Sequence, residues 1–281
     1  MSEYGIQPPH FRLPDDTHVG VVRLQVSDLT RSVEYYEHVL GLRVLDASSS
    51  RASLGAHSDE PHFLELHTRP GVTRSRRGAF GLYHFAILLR ERAALGRFAA
   101  HLSSVGARVG MADHFVSEAL YLWDPDGLGI EVYADRPRSE WQRRGRELVM
   151  TTEDLDLDSL IAAAEGGSWT GMPAGTCIGH VHLHVGSLAE TEAFYHAAVG
   201  FDKVVWSYPG ALFLSAGGYH HHLGANVWSP GPAAEDLEAR LLEWELVLPS
   251  DQDVAAALNS LRSDSDVVAD PWGTRLRLRR G

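Results

Sequence analysis

The sequence predicts an α+β fold built from four βαβββ modules that are arranged as two tandem domains. The main observation is a repeat, because the unit VVRLQVSDLTRSVEYYEHVLGLRVL at 21–45 recurs as HVHLHVGSLAETEAFYHAAVGFDKVV at 180–205. A looser copy of the same plan follows each unit, at 83–109 and at 244–268. The length of 281 residues also suits two domains of roughly 100–150 residues each. The chain is therefore expected to fold as four similar modules.

Each module is predicted to contain one strand, one helix and three further strands, in that order. Alternating apolar and polar residues at the start of each unit indicate a half-buried strand. Tyr, Phe and Val positions then recur at helical spacing, and Gly41 and Gly200 end the two clearest helices as C-caps. Strand-like runs follow, ending in FLELH (63–67) and in LFLSAGGYHHHLG (212–224).

These modules divide the chain into two predicted domains and a connection. Residues 18–136 hold modules 1 and 2, and residues 177–281 hold modules 3 and 4. Residues 137–176 form the linker, where DLDSLIAAAE predicts a short capped helix. Trp141 and Trp169 in this linker are expected to pack against a domain.

Composition excludes several classes of function. The formal net charge of -12, from 25 Lys and Arg against 37 Asp and Glu, predicts an acidic surface that repels nucleic acids and anionic membranes. A single cysteine, Cys177, can form neither an intrachain disulfide nor a thiolate zinc site. The N-terminal residues contain no apolar signal segment. We therefore expect a cytoplasmic protein with no nucleic-acid or membrane partner.

The modules differ in chemistry at positions that should be equivalent. At the start of the first strand they carry, in order, Val21, His84, His180 and Trp244. Near the chain end of each half, DPDGLGIEVY aligns with DPWGTRLRLR, which sets Glu131 against Arg277. Two imidazoles and one carboxylate form the set that holds Fe(II) on one face and leaves other positions open. His84, Glu131 and His180 are thus the candidate metal ligands.

Each of these three residues also has a simpler interpretation. A strand histidine is commonly a satisfied core or surface residue. Glu131 lies between Ile130 and Val132, so it either faces solvent or is a buried charge that needs compensation. The joint pattern favours the metal site, because the other modules carry Val, Trp and Arg at the same positions.

Several motifs resemble bacterial catechol 2,3-dioxygenases, which are extradiol enzymes of the vicinal-oxygen-chelate (glyoxalase-like) superfamily. They are GLYHFAILL, SEALYLWDPDGLGIEVYADRPR, IGHVHLHV, LSAGGYHHHLG and RSEWQRRGRELVMTT, and the resemblance covers nearly the whole chain. It implies two tandem vicinal-oxygen-chelate domains, with Fe(II), or Mn(II) as an alternative, bound by the three residues above. It also implies that O2 and a catechol-type substrate react to give a 2-hydroxymuconate semialdehyde. A homo-oligomer is compatible with the sequence.

One departure from that family concerns the position of the ligands. Many extradiol enzymes draw all three ligands from the C-terminal half, whereas module 4 of this chain offers none. The site must then join modules 2 and 3, either within one chain or between two chains.

The resemblance also implies acid–base residues. Histidine can serve as both acid and base at neutral pH. The matching strand of the family favours His221, and a shift of one residue would favour His220 or His222. The run is predicted to lie on a strand, so His220 and His222 face one way and His221 the other. The alternative is that the three histidines are exposed on the surface, where they bind metal only adventitiously.

Two further residues resemble pocket groups of the family. Tyr121 resembles the tyrosine that hydrogen-bonds a substrate oxygen, and His114 resembles a histidine near bound O2. Their alternatives are a packed strand tyrosine and a loop histidine. His182 and His184 are interpreted as packing residues or as supports for the ligands.

Two other functions compete with the dioxygenase interpretation. One is a metal-dependent, glyoxalase-like isomerase or lyase, which typically uses an additional carboxylate. The other is a small-molecule binding protein of the same fold without catalytic activity.

Overall fold

A computed structural model describes residues 4–58, 61–229 and 231–281. Module 1 consists of β1 (His18–Gln25), α1 (Leu29–His38), β2 (Arg43–Ala47), β3 (Arg51–Gly55) and β4 (Leu64–His67). Module 2 consists of β5 (Gly81–Leu89), α2 (Arg92–Ser104), β6 (Gly110–Asp113), β7 (Ser117–Trp123) and β8 (Gly129–Asp135). Both modules have the predicted order of elements.

The remaining elements follow the same plan with one difference. The connection contains a 3-10 turn (Arg138–Glu140), β9 (Arg143–Arg144), β10 (Glu147–Leu148) and α3 (Leu157–Ala162). Module 3 consists of β11 (Cys177–His184), α4 (Leu188–Thr191) with a π-helical continuation (Glu192–Val199), β12 (Asp202–Val205), β13 (Ala211–Ser215) and β14 (Leu223–Asn226). Module 4 consists of β15 (Arg240–Leu248), α5 (Asp251–Leu261), β16 (Val267–Ala269) and β17 (Arg275–Arg280). Within its described residues, module 4 thus forms two strands after its helix instead of three.

The strands assemble into two large sheets. The first sheet has the order β16-β17-β15-β1-β4-β3-β2 and combines modules 1 and 4. The second sheet has the order β12-β13-β14-β11-β5-β8-β7-β6 and combines modules 2 and 3. The α+β class is confirmed. The division of the chain into domains at 18–136 and 177–281 stays a prediction. Each sheet contains one module from either side of the connection.

Modules 2 and 3 join within one chain, which the sequence had left open. Strands β5 and β11 pair antiparallel, with His182 opposite His84 and Val181 opposite Phe85. Buried apolar side chains from both sheets form one continuous core, which includes Leu24, Phe85, Leu183 and Trp244. This shared core therefore holds the two sheets together.

The strand register corrects one equivalence drawn from the sequence. Val22 lies opposite Trp244 in the first sheet, as Val181 lies opposite Phe85 in the second. Both aromatic rings are buried against a helix tyrosine, with ring centroids 6.3 Å apart for Trp244 and Tyr195 and 6.5 Å apart for Phe85 and Tyr36. Trp244 therefore corresponds to Phe85, and its predicted equivalence to His84 is wrong by one residue. Glu243 occupies the place of His84.

The first sheet carries ion pairs where the second carries its histidines. Arg23 contacts Glu65 at 3.3 Å, Glu243 at 3.0 Å and Glu245 at 2.7 Å. Arg277, which replaces Glu131, binds Glu243 at 2.8 Å. The two sheets thus share a backbone plan, with ion pairs in the first sheet where the second has its metal-type donor set.

Replacement of Arg23 by Gln should lower the free energy of unfolding by about 3 kcal/mol, because buried carboxylates would lose a partner. Burial raises the pKa of Glu245, but bonds from Arg279 and Arg23 outweigh it and lower this pKa. Such a group stabilises the fold above its unfolded pKa, and the contribution is lost as the pH falls. Denaturant titrations should therefore show stability declining below about pH 4.3, and less steeply in Arg23→Gln.

The matched control for this variant is Arg51→Gln, because Arg51 pairs with the exposed Asp46 at 3.1 Å. Loss of that surface pair should cost less than about 1 kcal/mol. Equal stability losses in the two variants would contradict the role given to Arg23.

The connection between the halves packs against the folded body. Trp141 is buried, and its indole N–H donates to the carbonyl of Arg136 at 3.0 Å. The ring of Trp169 packs on Phe98 with centroids 5.0 Å apart. In the part of the chain that the structure describes, no helix has the length and apolar character needed to cross a membrane.

Candidate active site

The three predicted ligands meet at the centre of the second sheet. Strands β11, β5 and β8 are neighbours, and they carry His180, His84 and Glu131 respectively. Ala86 pairs with His180 on one side and with Glu131 on the other, so these residues share a row and a face. His84 lies two residues before Ala86 and points to the same face. The small Ala86 side chain leaves space between the three longer ones.

The donor atoms of this trio converge. Oε2 of Glu131 lies 3.0 Å from Nε2 of His84 and 3.2 Å from Nε2 of His180. One donor atom from each residue lies within 4.8 Å of the other two, and all three side chains are buried. Such convergence on one point is what a metal-binding set requires.

The protonation of the trio suits a cation. Burial lowers the pKa of His180 to about 4, so its ring is neutral at pH 7 and offers a lone pair. Burial opposes ionisation of Glu131, but His180 and His84 outweigh it and hold the pKa of this carboxyl well below its ordinary value. Nε2 of His84 is buried and has no partner with hydrogen-bond geometry in the described structure. The residues present therefore fit a divalent transition-metal ion.

A cavity of about 310 Å³ opens beside the trio. His84 and Glu131 line it together with three of the predicted acid–base residues, His114, Tyr121 and His221. Glu131 is the only carboxylate among the described residues of its wall. The cavity thus brings most of the predicted site into one place.

His114 and Tyr121 form a hydrogen-bonded pair in the cavity wall. The Thr151 carbonyl lies 2.6 Å from Nδ1 of His114 and can only accept, so Nδ1 carries a proton. The Tyr121 hydroxyl lies 2.6 Å from Nε2 of His114, and it donates to this nitrogen when the nitrogen has its lone pair. Burial and the nearby Glu131 raise the pKa of Tyr121 well above its ordinary value, so the phenol keeps its proton.

The run His220–His222 lies in the connection between β13 and β14, so the prediction that it alternates along a strand is wrong. Gly217 and Gly218 turn the chain with φ of 60° and 66°. A side chain at Gly217 would lie 2.1 Å from the Asp15 carbonyl oxygen, so this turn requires glycine. The turn directs the three imidazoles to different surroundings.

Of these three histidines, His221 lines the cavity. Its ring centroid is 4.0 Å from that of His180. His220 is fully buried behind it and contacts Asp135. His222 is buried elsewhere, where its Nδ1 accepts from the backbone N–H of Ala216 at 3.2 Å.

A hydrogen-bonded chain fixes the tautomer of His221. Asp135 Oδ1 lies 2.9 Å from Nε2 of His220, and an ionised carboxylate only accepts, so this Nε2 carries the proton. When His220 carries only this proton, its Nδ1 accepts from Nδ1 of His221 at 2.7 Å. The remaining nitrogen of His221, Nε2, is left with its lone pair.

Asp135 was missed by the sequence reasoning. It lies four residues after Glu131 on β8, and residues two or four apart on a strand share a face. That spacing was the available signal, but the partner His220 reaches Asp135 only through the turn after β13.

His182 and His184 are held by Asn226. The amide nitrogen of Asn226 donates to Nε2 of His182 at 3.0 Å, and its oxygen accepts from Nδ1 of His184 at 2.7 Å. The oxygen also accepts from the backbone N–H of Trp228 at 3.2 Å, which fixes the orientation of the amide. Nε2 of His182 is thereby occupied, which supports its interpretation as a packing residue.

The fold and the site together define a class: paired βαβββ modules with a buried His–His–Glu centre that opens into a cavity. The profile of the Glyoxalase/Bleomycin resistance protein/Dioxygenase superfamily matches residues 18–132. The chain is 43% identical over 253 residues to the catechol-2,3-dioxygenase of Bacillus subtilis (strain 168), covering 88% of each protein. This chain therefore belongs to the glyoxalase/bleomycin resistance/dioxygenase superfamily, which confirms the resemblance found in the motifs.

Solved structures support the same fold. One solved structure, described as that of a dioxygenase by provisional assignment, comes from Bacillus subtilis subsp. subtilis strain 168. It aligns with a TM-score of 0.66 at 11% identity and covers 96% of this chain and 86% of the other. Glyoxalase I from Zea mays aligns with a TM-score of 0.56 at 18% identity, covering 94% and 92%. At such identities the likeness concerns the fold alone.

Proposed function

We propose that this protein is an extradiol ring-cleaving dioxygenase, which inserts both oxygen atoms of O2 into a catechol to give a 2-hydroxymuconate semialdehyde. One observation carries the proposal: the His84–Glu131–His180 centre opens into a cavity that also holds two separate histidine-based proton carriers. The name of the 43% identical relative supports the same reaction.

The proposed ligands are Nε2 of His84, Nε2 of His180 and a carboxylate oxygen of Glu131. Fe(II) is the proposed ion, and Mn(II) accepts the same set. When bound, the ion supplies a Lewis acid for the diol oxygens and a route for electrons from the diol to O2. The remaining chemistry belongs to the protein side chains.

The His114–Tyr121 pair is proposed to take one proton from the diol. A diol hydroxyl that donates to the Tyr121 oxygen extends the chain Tyr121–His114–Thr151 by one bond. The phenol proton then moves to Nε2 of His114 while the diol proton replaces it on Tyr121. After this transfer the diol carries one negative charge and His114 carries one extra proton. Nδ1 of His114 still donates to the carbonyl oxygen of Thr151.

His221 is proposed as the second acid–base group. Its Nε2 carries the lone pair, because the chain to Asp135 holds the proton on Nδ1. Nε2 can therefore accept the proton of the second diol hydroxyl and return it when the ring opens. Of the three histidines at 220–222, His221 is the one in the cavity wall, which is why we favour it over its neighbours.

The cavity favours a dioxygenase over a glyoxalase-like isomerase. That alternative typically uses a second carboxylate, whereas Glu131 is the only carboxylate among the described residues of the wall. The other titratable side chains of the wall include His114, Tyr121 and His221, which can donate and accept protons.

The direct test is oxygen consumption. Protein loaded anaerobically with Fe(II) should consume one O2 per catechol and form a yellow product, measured with an oxygen electrode and by absorbance. Loading with Mn(II) in parallel identifies the ion that supports turnover. An absence of O2 uptake with every catechol tried, in protein that retains iron, would overturn the proposal.

A further inference from the structure

The cavity is larger than one aromatic ring requires. Its volume is about 310 Å³, whereas a cavity of about 150 Å³ accommodates benzene. An unsubstituted catechol and O2 would together leave part of the space to water. The excess volume indicates room for a substituent on the ring.

The mouth of the cavity is apolar and exposed. Met111, Trp123 and Trp228 line it while 44%, 57% and 47% of their surfaces remain exposed. Tyr208 and Phe213 continue the apolar wall inward. Large exposed apolar side chains around a concave opening are typical of a ligand-binding groove.

The wall offers no counter-charge for an anionic substituent. Among the described residues that line the cavity there is no Lys or Arg. The two wall hydroxyls of threonine are already engaged, because Thr151 donates to Glu153 at 2.9 Å and Thr152 lies 3.0 Å from the Tyr208 hydroxyl. Arg144 lines a separate groove that only shares part of the wall.

A carboxylate on the ring would therefore be disfavoured, because it would lose water without gaining a cationic side chain as a partner. An aryl or alkyl substituent would instead cover apolar surface at Trp123 and Met111, which the hydrophobic effect favours.

We propose that the substrate class is catechols with an uncharged, apolar ring substituent, and that Trp123 at the mouth contacts that substituent. This inference rests on the proposed dioxygenase function. It goes further by assigning to the cavity mouth a discrimination between neutral and anionic catechols.

The test compares kcat/KM of the iron-loaded protein, by O2 uptake at pH 7, for four probes. They are catechol, 4-phenylcatechol, 3,4-dihydroxybenzoate and the methyl ester of 3,4-dihydroxybenzoate. The acid and its ester differ mainly in charge, since the acid is ionised at this pH. We expect the ester to exceed the acid by at least about 100-fold, the order that a missing polar partner costs. We also expect 4-phenylcatechol to equal or exceed catechol.

Two variants locate the substituent. In Trp123→Ala, the ratio of kcat/KM for 4-phenylcatechol to that for catechol should fall about 10-fold. Trp206→Ala is the matched control, because Trp206 is 37% exposed and does not line the cavity. In that variant the ratio should stay at the wild-type value.

The outcomes separate the two proposals. Oxidation of the acid as efficiently as its ester, or of catechol alone among the four probes, would overturn the substrate class and leave the dioxygenase function intact. An equal fall of the ratio in both tryptophan variants would overturn the role of Trp123. Failure of all four probes with iron-retaining protein would instead overturn the function itself.

Discussion

Replacement of His84, His180 or Glu131 by Ala is expected to abolish iron retention. Each variant loses one of three converging donors, and even the residues that merely support metal ligands change affinity by about 10- to 100-fold. Loss of a ligand itself should therefore weaken binding by at least about 100-fold and remove O2 uptake. Metal analysis of the purified variants measures the first effect, and a thermal melt checks that each variant is folded.

His182→Gln is the matched control for the ligand variants. His182 lies on the same strand as His180 and directly opposite His84, yet its Nε2 accepts from Asn226. The Gln side-chain oxygen can accept the same hydrogen bond, so iron should be retained. Loss of iron from His182→Gln with retention in the His180 variant would show that the assigned ligand set is wrong.

Replacement of His221 by Gln should lower kcat with catechol by about 100- to 10,000-fold, the contribution of a positioned acid–base group. Gln can still donate to His220, but it cannot take and return a proton. Iron content should stay near one ion per chain, because His221 is not among the converging donors. The measurement is kcat per bound iron from O2 uptake at saturating catechol.

Two neighbouring variants test the specificity of this effect. Asp135→Asn removes the charge that orients His220, and should lower kcat by about 10-fold while iron is retained. His222→Gln should keep wild-type kcat, because His222 bonds to the Ala216 backbone outside the cavity. An unchanged kcat per iron in His221→Gln would exclude the acid–base role of His221. A large loss of kcat in His222→Gln would show that His222 matters for turnover and would contradict its place outside the site.

Much of the candidate site was readable from the sequence because the chain repeats itself. A repeated unit provides its own reference, so a histidine or glutamate that replaces an apolar or cationic residue stands out, as Glu131 does against Arg277. The same comparison is sensitive to a register error of one residue. Trp244 was set against His84 because both lie near a strand start, and only the pairing with Val22 shows that Glu243 is the counterpart.

The acid–base residues were less readable. His220–His222 follow a strand, and the directions of their side chains could be inferred only if that strand continued through them. The positive φ angles at Gly217 and Gly218 end it, and a turn has no fixed side-chain period. The bond from His220 to Asp135 joins residues 85 positions apart, so no local pattern could have indicated it.

The sequence by itself determined the number and order of the modules, the α+β class and the identity of the three candidate ligands, because periodicity and residue type are local properties. Only the tertiary structure decided that modules 2 and 3 share a sheet within one chain, that His221 rather than its neighbours lines the cavity, and that Asp135 holds its tautomer. Those features depend on strand pairing and on distances across the fold, which are fixed when the two halves bury a common core.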